Sequence, residues 1–265
     1  MKRLDDYRKA LSAAKDWDKY LLKESCLPGP RANLELVQAV ANLGTSEQFR
    51  RWLALGPAAT PAKTALEFLP LCGVVGLGRL LAEGQLEVLP ELRQHANDPR
   101  WRVREGVAMA LQRWGDADMG ALVKAMKDWG NGTWLEQRAA AAGLCEPRLL
   151  AAPNGAQAKA VLKILDRITR AVARAGPAAR TGDDFKALRQ GLAYCWSVVV
   201  AAAPAEGKAA METWLASPDK DVLWIMRENL KKNRLSRMDA GWVRRWQTKT
   251  KEKEREKEKV KKQLS

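Results

Sequence analysis

Residues Asp98–Asp116 read DPRWRVREGVAMALQRWGD, with four arginines and two tryptophans in nineteen positions. The reading of this stretch decides the fold. At about 100° per residue, Val103, Val107, Ala110, Leu111 and Trp114 fall on one face of a helix. Arg100, Arg104 and Arg113 fall beside that face or away from it. The expectation is an amphipathic core helix with solvated arginines, and not a nucleic-acid reading helix. Asp98-Pro99 marks its start, because a side-chain oxygen and a first-turn proline both suit a helix N-terminus. Gly115 marks its end.

The same punctuation extends outward. Pro28-Gly29-Pro30 opens a helix to about Leu43, and Thr45 with Gln48 forms a capping box. Thr60-Pro61 opens the next helix. Pro70 and the glycines at 73, 76 and 78 break or bend the segment after it. Thr133 and Glu136 start another helix, to about Cys145. Longer helices cover about 156–175 and 183–203, and a short one reaches Ala216. Ser217-Pro218 opens a helix to about Leu235, and MDAGWVRRWQ adds a last short one. No strand survives against this helical context. Helix pairs recur about every 35–45 residues, the spacing of an α-solenoid. The fold expected is all-α: a right-handed α-solenoid of antiparallel pairs at 28–247, after an N-terminal helical segment at 1–27.

DPRWRVREGVAMALQRWGD resembles the second helix of a HEAT repeat, with its Asp-Pro cap, Val-Arg step and helically spaced alanine and leucine. The resemblance implies polar contacts between neighbouring repeats, which fall on Asp98 and Arg104. SPDKDVLWIMRENL is a second copy, with Ser217-Pro218 on Asp98-Pro99, Val222 on Val103 and Leu230 on Leu111. The arginine slot is then Leu223, a departure from the pattern. TWLEQRAAAAGL is a degenerate third copy, and SCLPGPRANLEL resembles a segment of uncharacterised bacterial HEAT-repeat proteins.

Charge is uneven. The formal net charge is +15, and residues 227–265 hold 15 Lys/Arg against 6 Asp/Glu, which is +9 of it. A basic excess points to acidic partners. Arg227, Lys231, Lys232, Arg234, Arg237, Arg244 and Arg245 form the densest group, with Trp242 and Trp246 interleaved. It is a candidate contact for nucleic acid or another polyanion. Lys163, Arg167, Arg170 and Arg174, spaced by four, three and four, form a stripe on one helix. That stripe reads either as a solvated face or as a phosphate contact. The tail from 248 to 265 alternates Lys and Glu and reads as disordered or as a fraying solvated helix.

Catalytic signals are sparse. With one histidine, His95, no nucleophile–His–acid set can be assembled. CGVVGLGRL matches no phosphate-binding glycine motif and reads as close helix packing. Asp183-Asp184 reads as a helix start. Three of the four cysteines sit in apolar helical contexts, and their spacing supports no metal site. A more distant similarity, to HEAT-like alkylpurine DNA glycosylases, rests on architecture, basicity and tryptophan content. It implies an aromatic wall from Trp101, Trp114, Trp134 or Trp224 and a carboxylate from Asp98 or Asp128, but it assigns no catalytic residue. No cofactor or metal is expected, nor a membrane partner. MKRLDDYRKAL is charged throughout, unlike a secretory leader, and the longest uncharged runs are too short to span a bilayer. The expectation is a cytoplasmic scaffold with a protein or nucleic-acid partner, the alternative being a glycosylase-like repair enzyme.

Overall fold

The structure, a computed structural model, describes residues 4–151 and 157–263. It is all-α, with no strand among the described residues. Two compact units divide the chain, Met1–Leu122 and Val123–Ser265.

The first unit contains α1 (Leu4–Ala13), α2 (Trp17–Glu24), α3 (Leu34–Leu43), α4 (Ser46–Leu53), α5 (Phe68–Ala82), α6 (Leu89–His95) and α7 (Trp101–Ala117). Its centre is α5, which packs against α2, α3, α4, α6 and α7. All fifteen of its residues except Arg79 and Ala82 are buried. The expectation that Pro70 and three glycines interrupt this segment is overturned. Pro70 lies in the first turn, where no intrahelical N–H bond is lost. The glycines serve close approach instead. A Cβ on Gly76 would collide with the Phe49 ring, and one on Gly78 with the backbone of Ala110. With one preceding 3-10 turn, residues Ala65–Ala82 are long and apolar enough to cross a membrane, and 78% of that window is buried inside the protein.

Two other helix starts move. Pro28-Gly29-Pro30 forms a turn, closed by the Gly29 N–H on the Cys26 carbonyl at 2.9 Å. Helix α3 begins later because Asn33 makes a better cap. Its Oδ1 accepts the Leu36 N–H at 3.1 Å, while its amide donates to Tyr7 Oη and to the Glu24 carbonyl, both at 2.8 Å. Thr60-Pro61 does not open α5, because the Thr60 hydroxyl turns back onto the carbonyls of Leu55 and Gly56. The Thr45–Gln48 capping box is present on α4.

In the second unit, α9 (Trp134–Leu144), α10 (Pro147–Leu150), α11 (Ala158–Arg174), α12 (Pro177–Thr181), α14 (Pro204–Leu215), α15 (Lys220–Leu230) and α16 (Asn233–Gln263) all touch α13 (Asp183–Ala202). The remaining helix, α8 (Met119–Trp129), spans the unit boundary. Position 156, where the helix before Gly176 was expected to begin, lies outside the described residues. Buried polar groups are satisfied across helices. Trp196 donates to Thr169 Oγ1 at 3.0 Å, and Asn229 accepts the Ser197 N–H at 2.7 Å and donates to the Leu192 carbonyl at 2.8 Å. The helix expected to reach Leu235 ends at Leu230, and α16 begins at Asn233. Of the two readings of the tail, the described residues take the helical one. Helix α16 continues from Asn233 to Gln263, kinked at Asp239, whose Oδ1 accepts the Trp242 N–H at 2.9 Å. Lysine, glutamate and arginine are strong helix formers, which favours this continuation. Thr250, inside the expected tail, is buried.

Candidate polyanion-binding cleft

The arginines before and on α7 are largely structural. Arg100 is 2% exposed and Arg102 is 7% exposed, so the expectation of solvated arginines fails for both. Asp98 accepts the Arg100 backbone N–H at 2.8 Å and holds its guanidinium at 2.9 and 2.6 Å. The same guanidinium donates to the Leu55 carbonyl at 3.1 Å and to the Thr60 hydroxyl. Arg102 lies 3.4 Å from the fully buried Glu67 carboxylate and donates to the Gly29 carbonyl at 3.0 Å. Arg104 bonds the nearby carbonyls of Asp98 and Pro99, at 2.6 and 3.0 Å. Arg113 reaches across to Gln38 and Asn42 on α3. Arg100, Arg102 and Arg113 thus make long-range contacts, and Arg104 bonds the turn beneath its own helix.

The stretch from Ser217, aligned with Asp98 in the sequence, begins in the same register. Ser217 Oγ accepts the Asp219 N–H at 3.2 Å, as Asp98 does for Arg100, and the helix starts two residues after the proline in both. The charge at the cap position is inverted. Asp219 meets Arg180 at 2.7 Å, and Asp221 meets Arg180 at 2.6 Å and Arg189 at 3.0 Å.

The cations at the other end of this helix have a different environment. Lys231, Lys232, Asn233, Arg234 and Arg237 line one open cleft of about 460 Å³, with no acidic side chain in its lining. The turn between α15 and α16 creates it. Lys231 follows the last residue of α15, and the Lys232 N–H closes the turn on the Asn229 carbonyl at 2.9 Å. Lys231 pairs with Glu228. Arg234 donates to Tyr194 Oη at 2.6 Å. Lys232 and Arg237 have no ion-pair partner among the described residues.

Four of the seven cations expected in this basic group are thus brought together. Arg227 is part-buried on α15, while Arg244 and Arg245 are exposed on α16 beyond its kink; none of the three lines the cleft. The Trp242 and Trp246 indoles both donate to Glu212, at 2.6 and 3.1 Å; Trp242 is buried there, while Trp246 stays half-buried with Lys249 over its ring at 5.0 Å. On α11, Lys163, Arg167, Arg170 and Arg174 are all exposed, as a stripe requires. Arg170 is paired with Asp166 at 2.8 Å. Tyr194 was not foreseen from the sequence. It lies on α13, inside an uncharged run, 39% exposed against Arg234.

Several of the groups considered for chemistry are engaged elsewhere, while Trp101 stays 44% exposed. Trp114 is buried, Trp134 meets Phe185 edge-on, Trp224 lies under Arg189, and Trp101 under Arg102. Asp98 is held by Arg100. Asp128 is exposed on α8. His95 is partly buried, and that burial lowers its basicity against the opposing carboxylates of Asp98 and Glu91. Burial raises the Cys72 and Cys145 thiols well above their ordinary range.

No protein-family model matches the chain, and no curated protein matches it in sequence.

Proposed function

We propose that the chain is a non-enzymatic, HEAT-like helical scaffold that binds nucleic acid through the cleft between α15 and α16. One observation carries this reading: four cationic side chains line one cleft with no acid in its lining, and three of them, Lys232, Arg234 and Arg237, have no ion-pair partner among the described residues. Concentrated, uncompensated positive charge suits successive phosphates, whose condensed counterions are released on contact. The repeat reading is supported by the shared cap register of α7 and α15.

The test is a salt titration of a fluorescent oligonucleotide with the full chain. The expected plot of log affinity against log salt is linear and falling. Changing Lys231, Lys232, Arg234 and Arg237 together to Gln makes that slope shallower by up to about 3–4, roughly one for each phosphate no longer neutralised. The loss of the Arg234 bond to Tyr194 and of the Lys231–Glu228 pair is expected to cost about 1–2 kcal/mol, which leaves the chain folded for the titration. An unchanged slope moves the site elsewhere, and absence of binding at low salt removes the nucleic-acid reading.

A further inference from the structure

We infer that the cleft takes single-stranded nucleic acid, with one unstacked base lying against the Tyr194–Arg234 pair; this rests on the nucleic-acid reading above. Helix α13 is mostly core, with Phe185, Leu188, Leu192, Cys195, Trp196 and Val199 buried. Tyr194 departs from its neighbours and keeps 39% of its surface in solvent. Its ring is not idle. The Arg234 guanidinium centre lies 4.5 Å from the ring centroid, and an Nη2–H of the same group donates to the phenol oxygen at 2.6 Å. Arg234 also lines the cleft. An exposed aromatic ring and a guanidinium held against it therefore adjoin the place where Lys231, Lys232 and Arg237 gather positive charge.

These two features ask for different things from a ligand. The lysines and Arg237 ask only for phosphates. The ring and the guanidinium ask for a flat, polarisable face, which aromatic and guanidinium groups take by stacking. A duplex keeps its base faces covered by neighbouring base pairs, so it satisfies the first demand and wastes the second. A phosphorylated peptide offers separated phosphates and no obligatory ring beside them. A single strand offers both, a run of phosphates and an accessible base face at each step.

The experiment uses the full chain and three labelled probes of equal length: oligothymidylate, the same backbone without bases, and a blunt duplex. Affinities are read by fluorescence anisotropy at one salt concentration. The thymidylate probe is expected to bind at least about fivefold more tightly than the abasic one, the effect of stacking a single base. Tyr194→Ala is expected to erase that difference between the two single-stranded probes, while Tyr194→Phe retains most of it. Equal binding of the two single strands by the unaltered chain overturns the stacking inference and leaves the phosphate reading standing. Tighter binding of the duplex also overturns it, as does a difference that survives Tyr194→Ala. Failure to bind any probe at low salt overturns both readings together. The first comparison needs no variant, so it stands even if a substitution at Tyr194 impairs folding.

Discussion

Residues 98–117 and 217–237 start alike and finish differently. Each opens with an oxygen-bearing side chain, a proline and an N-cap residue, in the same register. In the first, the arginines cluster at the helix start, where backbone carbonyls and carboxylates of other segments surround them. In the second, the cap position carries an acid instead, and the cations collect past the helix end, around an open turn. The difference separates two uses of one residue type. A guanidinium near a helix start, within reach of loop carbonyls, becomes a fastener between segments. Cations around an open turn, with few acids in reach, remain available to an anion.

The comparison breaks most sharply at Arg100. Arg100→Ala leaves Asp98 buried without its counter-charge and is expected to cost about 3–5 kcal/mol, read as a fall in the urea midpoint. Oligonucleotide affinity of the folded protein should stay the same. A small stability loss accompanied by weakened binding would mean that the first corner is the binding surface.

The equivalent test in the second corner is Asp219→Asn. An amide keeps the cap oxygen for the N–H groups of Asp221 and Val222 but gives up the charge facing Arg180. Arg180 retains Asp221, so the expected loss is smaller, about 1–2 kcal/mol. Burial alone would raise the Asp219 carboxyl, but Arg180 and the two backbone N–H groups outweigh it and hold the group below its ordinary range. Its stabilisation is therefore complete above about pH 4, the unfolded value, and is lost as pH falls through the lower folded value. The variant should show a flatter acid limb than the unaltered chain, and parallel limbs would contradict the assignment.

The smallest effect concerns His95, beside the first corner. Burial lowers its pKa despite Asp98 and Glu91. The folded state then binds its proton less readily than the unfolded one. Stability is full above about pH 6.5 and declines as pH falls through the lowered folded value. His95→Gln should remove this step from a stability–pH curve, and a step that persists would belong to another group.

Much of the fold was legible because its signals are local. The Thr45–Gln48 box, the Thr133 cap, the apolar face of α7, the end of α11 and the boundaries of α13 needed only neighbouring residues. The errors arose where distant partners decide. The glycines of α5 carry both a breaker signal and a packing signal, and Phe49 and Ala110 pressed against Gly76 and Gly78 decide for packing. Arg100 looks solvated until the 55–60 loop folds over it. The basic group was visible as a charge run, but charge density could not tell Arg234 and Arg237 from Arg244 and Arg245. A turn and a kink make that distinction. Tyr194 carried no signal, because its value comes from a residue forty positions away.

Hydrogen exchange with and without a saturating single-stranded oligonucleotide tests the central claim most directly, since it reads both corners in one sample. Slowed exchange is expected at the amides of residues 231–237, with the α7 segment 101–117 unchanged. Protection concentrated on 101–117, or none at 231–237 under conditions where the oligonucleotide is bound, would contradict it.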